Sequence, residues 1–157
     1  MPNLFPANYE EQNPYPDFNE HKEGAVGYRP GVLFDYETGD FVRNGQGRVV
    51  EADGIESWKS WVVNCLHTQR YKHLAYSTDF GIEIDKVFSA STRAEAESIL
   101  IRQITEALLA DPYKRTDYVQ FERVDWRLPD GVVVSFRLYG INDVTLDITT
   151  YISRGDT

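Results

Sequence analysis

The sequence predicts an α+β fold: two helices packed on an antiparallel β-meander, with an extended N-terminal arm and a hairpin ahead of them. Three observations carry this. Apolar residues recur at steps of three and four after Asp53 and again after Thr92. Residues 117–152 alternate apolar with polar side chains. The prolines crowd towards the start, where Pro2, Pro6, Pro14, Pro16 and Pro30 block both helix and ladder. The expected division is an arm over residues 1–30 and one domain over residues 31–157.

In the arm, Leu4, Phe5, Tyr9, Tyr15, Phe18 and Tyr28 follow no helical or strand period. A plain tail is poor in aromatic residues, so the expectation is an arm laid over a neighbouring surface, with Tyr9, Tyr15 and Phe18 among its contacts. Residues 31–50 read as a hairpin, with Val32, Phe34 and Tyr36 before the turn Glu37-Thr38-Gly39-Asp40. A second turn, Asn44-Gly45-Gln46-Gly47, precedes Arg48-Val49-Val50. These glycines lack the Gly-Lys-Ser/Thr ending of a phosphate loop.

The first helix places Ile55, Trp58, Val62, Cys65 and Leu66 on one face, with Asp53 and Glu56 spaced as a capping box. Its pattern fails at Thr68-Gln69-Arg70. A short strand at Leu74-Ala75-Tyr76 and a turn at Asp79-Phe80-Gly81 follow. The second helix opens on a Thr92/Glu95 capping box, buries Ala96, Leu100, Ile104, Ala107 and Leu108, and stops at Asp111-Pro112. In the meander, Val119 and Phe121 hold one phase, and Val124, Trp126 and Leu128 the other. That slip predicts a bulge near Glu122-Arg123. Strands over residues 132–139 and 144–152 follow the turns Pro129-Asp130-Gly131 and Gly140-Ile141-Asn142-Asp143. One apolar face per strand means a sheet covered on one side.

Composition narrows the function. The chain has 157 residues, 41% hydrophobic and 26% charged, with a formal net charge of −9. No basic run exceeds Lys114-Arg115, so neither nucleic acid nor an anionic membrane is expected as a partner. No segment reaches ~18 consecutive apolar residues, and the opening MPNLFPANYEEQNPYP lacks the basic start and apolar run of a signal peptide. Cys65, the single cysteine, reads as a small buried hydrophobe. Three histidines without a CxxC or HExxH spacing argue against a metal, and no cofactor is expected. Glu83 with Asp85, or Asp79 with Glu83, form the carboxylate pair that a peptidoglycan hydrolase of the lysozyme kind would need. Such spacings arise by chance in an acidic chain. Aromatic residues make up 13% of the chain, which points towards protein contacts instead.

Trp58, Trp61 and the run Leu66-x-Thr68-x-Arg70-Tyr71 lead to Tyr76-x-x-x-Phe80-Gly81-x-Glu83, then to a long helix ending Leu108-Leu109-Ala110-Asp111-Pro112, a basic pair and a meander. Over about residues 30–152 this order resembles the small baseplate wedge proteins, or sheath initiators, of contractile phage tails and tailocins, nearest the Gram-positive prophage branch. The wider family includes T-even and type VI secretion wedge subunits and carries Glu-Pro-Arg at the end of the long helix. Here Asp111-Pro112-Tyr113-Lys114-Arg115 stands instead. The resemblance implies a structural virion or tailocin component, assembled in the host cytoplasm, with no catalytic residues. Its implied partners are the tail sheath protein, whose arms add strands to its sheet, and other wedge and hub or tube proteins. Several copies would surround a symmetric baseplate. The residues expected to face partners are Thr68, Arg70, Tyr71, Asp79, Gly81, Glu83, Pro112, Lys114 and Arg115, with Tyr9, Tyr15 and Phe18 from the arm.

Overall fold

A computed structural model of the chain describes residues 27–35, 38–72, 76–127 and 129–154. The arm contacts Tyr9, Tyr15 and Phe18 lie outside these residues, as do Leu74, Ala75 and Leu128.

The class is α+β, as the patterning indicates. The hairpin region is a ribbon of three limbs. Strand β1 (Gly31–Val32) pairs with β4 (Glu51–Ala52), and β2 (Phe34–Asp35) pairs with β3 (Asp40–Phe41). Leu33 N–H donates to Val50 O and Val42 N–H to Leu33 O, each at 2.9 Å. Thr38 and Gly39 turn between β2 and β3, with Gly39 N–H donating to Asp35 O at 2.9 Å, while Glu37 lies outside the described residues; the second expected turn is present. In the second, Asn44 Oδ1 accepts from the amides of Gln46 and Arg48, each at 3.0 Å.

Helix α1 (Gly54–Leu66) begins where Asp53 Oδ1 accepts from the amides of Ile55 and Glu56, at 2.9 and 2.8 Å. Trp58, Val62, Cys65 and Leu66 are buried, whereas Ile55, in the first turn, is exposed. The helix stops where Thr68 turns its hydroxyl back to Asn64 O, 2.7 Å away. Helix α2 (Ile84–Phe88) is a single extra turn that the sequence did not announce, so among the described residues three α-helices accompany the sheet where two were expected. Helix α3 (Arg93–Leu109) starts on Thr92 Oγ1, which accepts from Glu95 N–H at 3.2 Å; Glu95 Oε2 accepts from Ser91 N–H at 3.0 Å.

Strands β5 (Thr116–Arg127), β6 (Gly131–Gly140) and β7 (Thr145–Ser153) form an antiparallel three-stranded sheet in chain order. The register of β5 against β6 shifts between Phe121 and Arg123, the bulge that the phase slip predicted. By looping out one residue, the bulge lets Val119, Phe121, Val124 and Trp126 all pack towards the helices. They join Val132, Val134, Phe136, Leu138, Ile148 and Ile152 against Trp58, Leu100, Ile104 and Leu108. Each fully buried Leu or Ile contributes about 1.5–3 kcal/mol. Within this layer Trp58 Nε1–H donates to Thr116 Oγ1 at 3.3 Å and His67 Nε2 bonds Thr150 Oγ1 at 2.9 Å, while the buried Trp126 Nε1 has no hydrogen-bond partner among the described residues. Tyr28, assigned to the arm by its sequence position, packs on Trp58 at 5.4 Å and donates its hydroxyl to Ile141 O at 2.9 Å.

A candidate docking corner

Two of the expected partner-facing runs are knit together by backbone. Ile82 N–H donates to Thr68 O and Arg70 N–H to Ile82 O, both at 3.0 Å, a short parallel bridge between Gln69 and Ile82. The Arg70 guanidinium donates from Nε to Gly81 O at 2.9 Å. Gly81 has φ +93°, and a Cβ there would lie 2.5 Å from Thr68 O, so glycine is required on both counts. Beneath it, Gly81 N–H points at Cys65 Sγ, 3.4 Å away. Burial pushes the Cys65 thiol up to about 11. Thr68 and Gly81 are therefore inside the corner, Arg70 is half-buried, and Tyr71 and Asp79 are exposed.

Glu83 is half-buried and occupied. Its N–H donates to Gln103 Oε1 at 2.6 Å, and its carboxylate accepts from Lys86 Nζ at 2.8 Å. Gln103 is buried on α3, so this contact ties the corner to the long helix.

The third run closes around an ion pair. Arg115 Nε and Nη2 reach the two Asp111 carboxylate oxygens at 2.7 and 2.9 Å. The amides of Arg115 and Tyr113 donate to the same carboxylate at 3.0 and 3.2 Å. The guanidinium lies 5.5 Å from the Trp61 ring centroid and 5.1 Å from that of Tyr113. Arg115 is thus buried, while Pro112 and Lys114 are exposed beside it.

The folding brings these runs to one place. Trp61, Asn64, Tyr76, Ser77, Asp79, Phe80, Ala110 and Pro112 line a groove of about 270 Å³. Phe80 sits between Trp61, at 5.8 Å, and Tyr76, at 4.8 Å. Asp79 and Pro112 therefore share a groove whose wall is Trp61, with Arg115 stacked on that same indole. A family model for the contractile injection system sheath initiator matches residues 31–122, from β1 through the corner and groove to the β5 bulge. The chain belongs to the sheath-initiator family. No curated protein matches it. Membership makes it a structural component of sheath assembly in a contractile injection system.

In this sheath initiator, two of the carboxylates weighed for hydrolysis make ion pairs. Glu83 holds Lys86, and Asp85 accepts from Arg154 Nε at 3.2 Å at an exposed site. Among the described residues, no cluster of three or more His, Cys, Asp or Glu is placed to hold a metal ion, and no helix is long and apolar enough to cross a membrane.

Sequence reasoning quotes Trp61 in the family pattern but does not place it among the partner-facing residues. It lies three residues after Trp58 but off the buried stripe, and an aromatic ring on the flank of an amphipathic helix was the available signal. It also missed the outer face of the sheet. There Tyr118 stacks on Tyr139 at 4.2 Å, Tyr139 donates to Gln120 at 3.0 Å, and Ser135 bonds Thr149 at 3.0 Å. Arg137 bonds Asp147 across β6 and β7 and holds its carboxyl below the usual range.

Proposed function

We propose that this sheath initiator sits in the baseplate of a phage tail or tailocin and starts the first sheath ring. It does so by offering its sheet to extended arms of the tail sheath protein. Family membership carries this reading, and the sheet supports it: among the described residues three strands in an open order have two outer edges, and an edge is a template for a foreign strand.

The corner serves the other side of the joint. Exposed Tyr71, Asp79, Pro112 and Lys114 meet wedge and hub or tube proteins around a symmetric baseplate that holds several copies. Buried Thr68, Gly81 and Arg115 and half-buried Arg70 and Glu83 hold that surface in shape. The segment 1–30, with Tyr9, Tyr15 and Phe18, ties the domain to a neighbour. With a net charge of −9, partners presenting basic surface are favoured over nucleic acid or anionic lipid.

Affinity capture tests this. A tagged chain expressed with its tail genes is expected to recover sheath and baseplate proteins together. Tyr71→Ala with Lys114→Ala is expected to weaken baseplate recovery while sheath recovery persists. Capture of neither class of protein would contradict the proposal.

A further inference from the structure

The register of the sheet identifies the backbone groups left over at each edge among the described residues. In β6 and β7, Gly140 N–H donates to Val144 O and Arg154 N–H to Asp130 O. Antiparallel pairs alternate between bonded and non-bonded residues, so Val144, Leu146, Ile148, Thr150, Ile152 and Arg154 bond inwards to β6. The amides and carbonyls of Thr145, Asp147, Thr149, Tyr151 and Ser153 therefore point out of the sheet. They do so along nine residues with no register shift.

The opposite edge is different. There the outward groups belong to Val119, Phe121, Val124 and Trp126, and the shift between Phe121 and Arg123 breaks their spacing in the middle. A second shift lies between Thr116 and Tyr118. Bulges of this kind blunt an edge against pairing. The outer edge of β7 is regular, and its single charged side chain, Asp147, is already matched by Arg137 within the sheet.

We infer that β7, and not β5, is the strand on which the sheath arm is added. This rests on the strand-addition reading above and sharpens it to one edge. The arm it fits is an extended segment about as long as β7. Its apolar residues would continue the side of Leu146, Ile148 and Ile152, and its polar residues the side of Thr145, Thr149 and Tyr151.

Deuterium exchange separates the edge from the reading. Sheathed particles are compared with the isolated chain, following peptides that cover Thr145–Ser153 and Val119–Trp126. The expected result is exchange slowed at least about tenfold over β7 in the particle, with β5 unchanged. Slowing over β5 alone would overturn the choice of edge and leave strand addition standing. No slowing at either edge would overturn strand addition itself. Slowing over β7 in the isolated chain that grows with concentration would show a second copy in place of the arm, and would overturn the inference. Thr149→Pro gives a second test. It removes an outward N–H and leaves the backbone bonds to β6, so a folded variant is expected to yield tubes without sheath, while Thr149→Val, which equally loses the hydroxyl bonded to Ser135, keeps the sheath. Normal sheath on particles carrying folded Thr149→Pro would sink the inference.

Discussion

The Arg115 guanidinium meets the Asp111 carboxylate through two hydrogen bonds, and both side chains are almost wholly removed from solvent. A buried pair of this kind is a weak source of net stability but is costly to break, because the survivor is left charged and unpaired. Asp111→Ala and Arg115→Ala are each expected to lose about 3–5 kcal/mol in urea unfolding. The double variant is expected to lose clearly less than the sum. Arg115→Lys is expected to fall well short of wild type, since an ammonium cannot make the paired contact with both carboxylate oxygens.

Gly81 is expected to tolerate no side chain. Its positive φ costs an L-residue about 1–2 kcal/mol, and the approach of Thr68 O adds to this. Gly81→Ala should therefore lower stability by at least about 2 kcal/mol, measured by the same unfolding curves. A loss near zero would mean that the corner can open without consequence.

Cys65 gives a pH signature. Its folded pKa is raised to about 11 from an ordinary 9.0, so the folded state holds the thiol proton more tightly than the unfolded chain does. The linked stability is fully present below pH ~9 and is lost as pH rises from there to ~11, to the extent of about 3 kcal/mol. Cys65→Ala is expected to flatten that decline. At pH 8 the native thiol should resist disulfide reagents and react only on unfolding.

Asp147 lies at an exposed site where Arg137 lowers its pKa from 3.8. Its contribution is present above the ordinary carboxylate pKa and fades only as pH falls through the lower folded value. Arg137→Ala is expected to bring the Asp147 midpoint, read by NMR titration, back up towards 3.8.

Much of this fold is legible because its elements are long enough to show a period. α3 spans several turns with Ala96, Leu100, Ile104 and Leu108 on one side, and β6 alternates from end to end. Even the bulge shows, because one looped-out residue moves Val124 and Trp126 to the opposite phase from Phe121. The five residues of α2 are too few for a period. The candidate corner was legible as a set of turns but not as a single site. Nothing in the local pattern says that Asp79 and Pro112 line one groove, because Trp61 joins them through space. Nor does a run such as Asp-Pro-Tyr-Lys-Arg reveal burial. Acid and base four residues apart are ordinarily a solvated pair, and only the packing of Trp61 and Tyr113 around Arg115 makes them an interior one.

Starting the sheath is the role proposed for this protein. Electron microscopy of particles from a strain lacking its gene tests it. Tubes or baseplates bare of sheath are expected, restored when the gene is supplied in trans. Contractile tails of normal length and sheath in the deletion strain would contradict it.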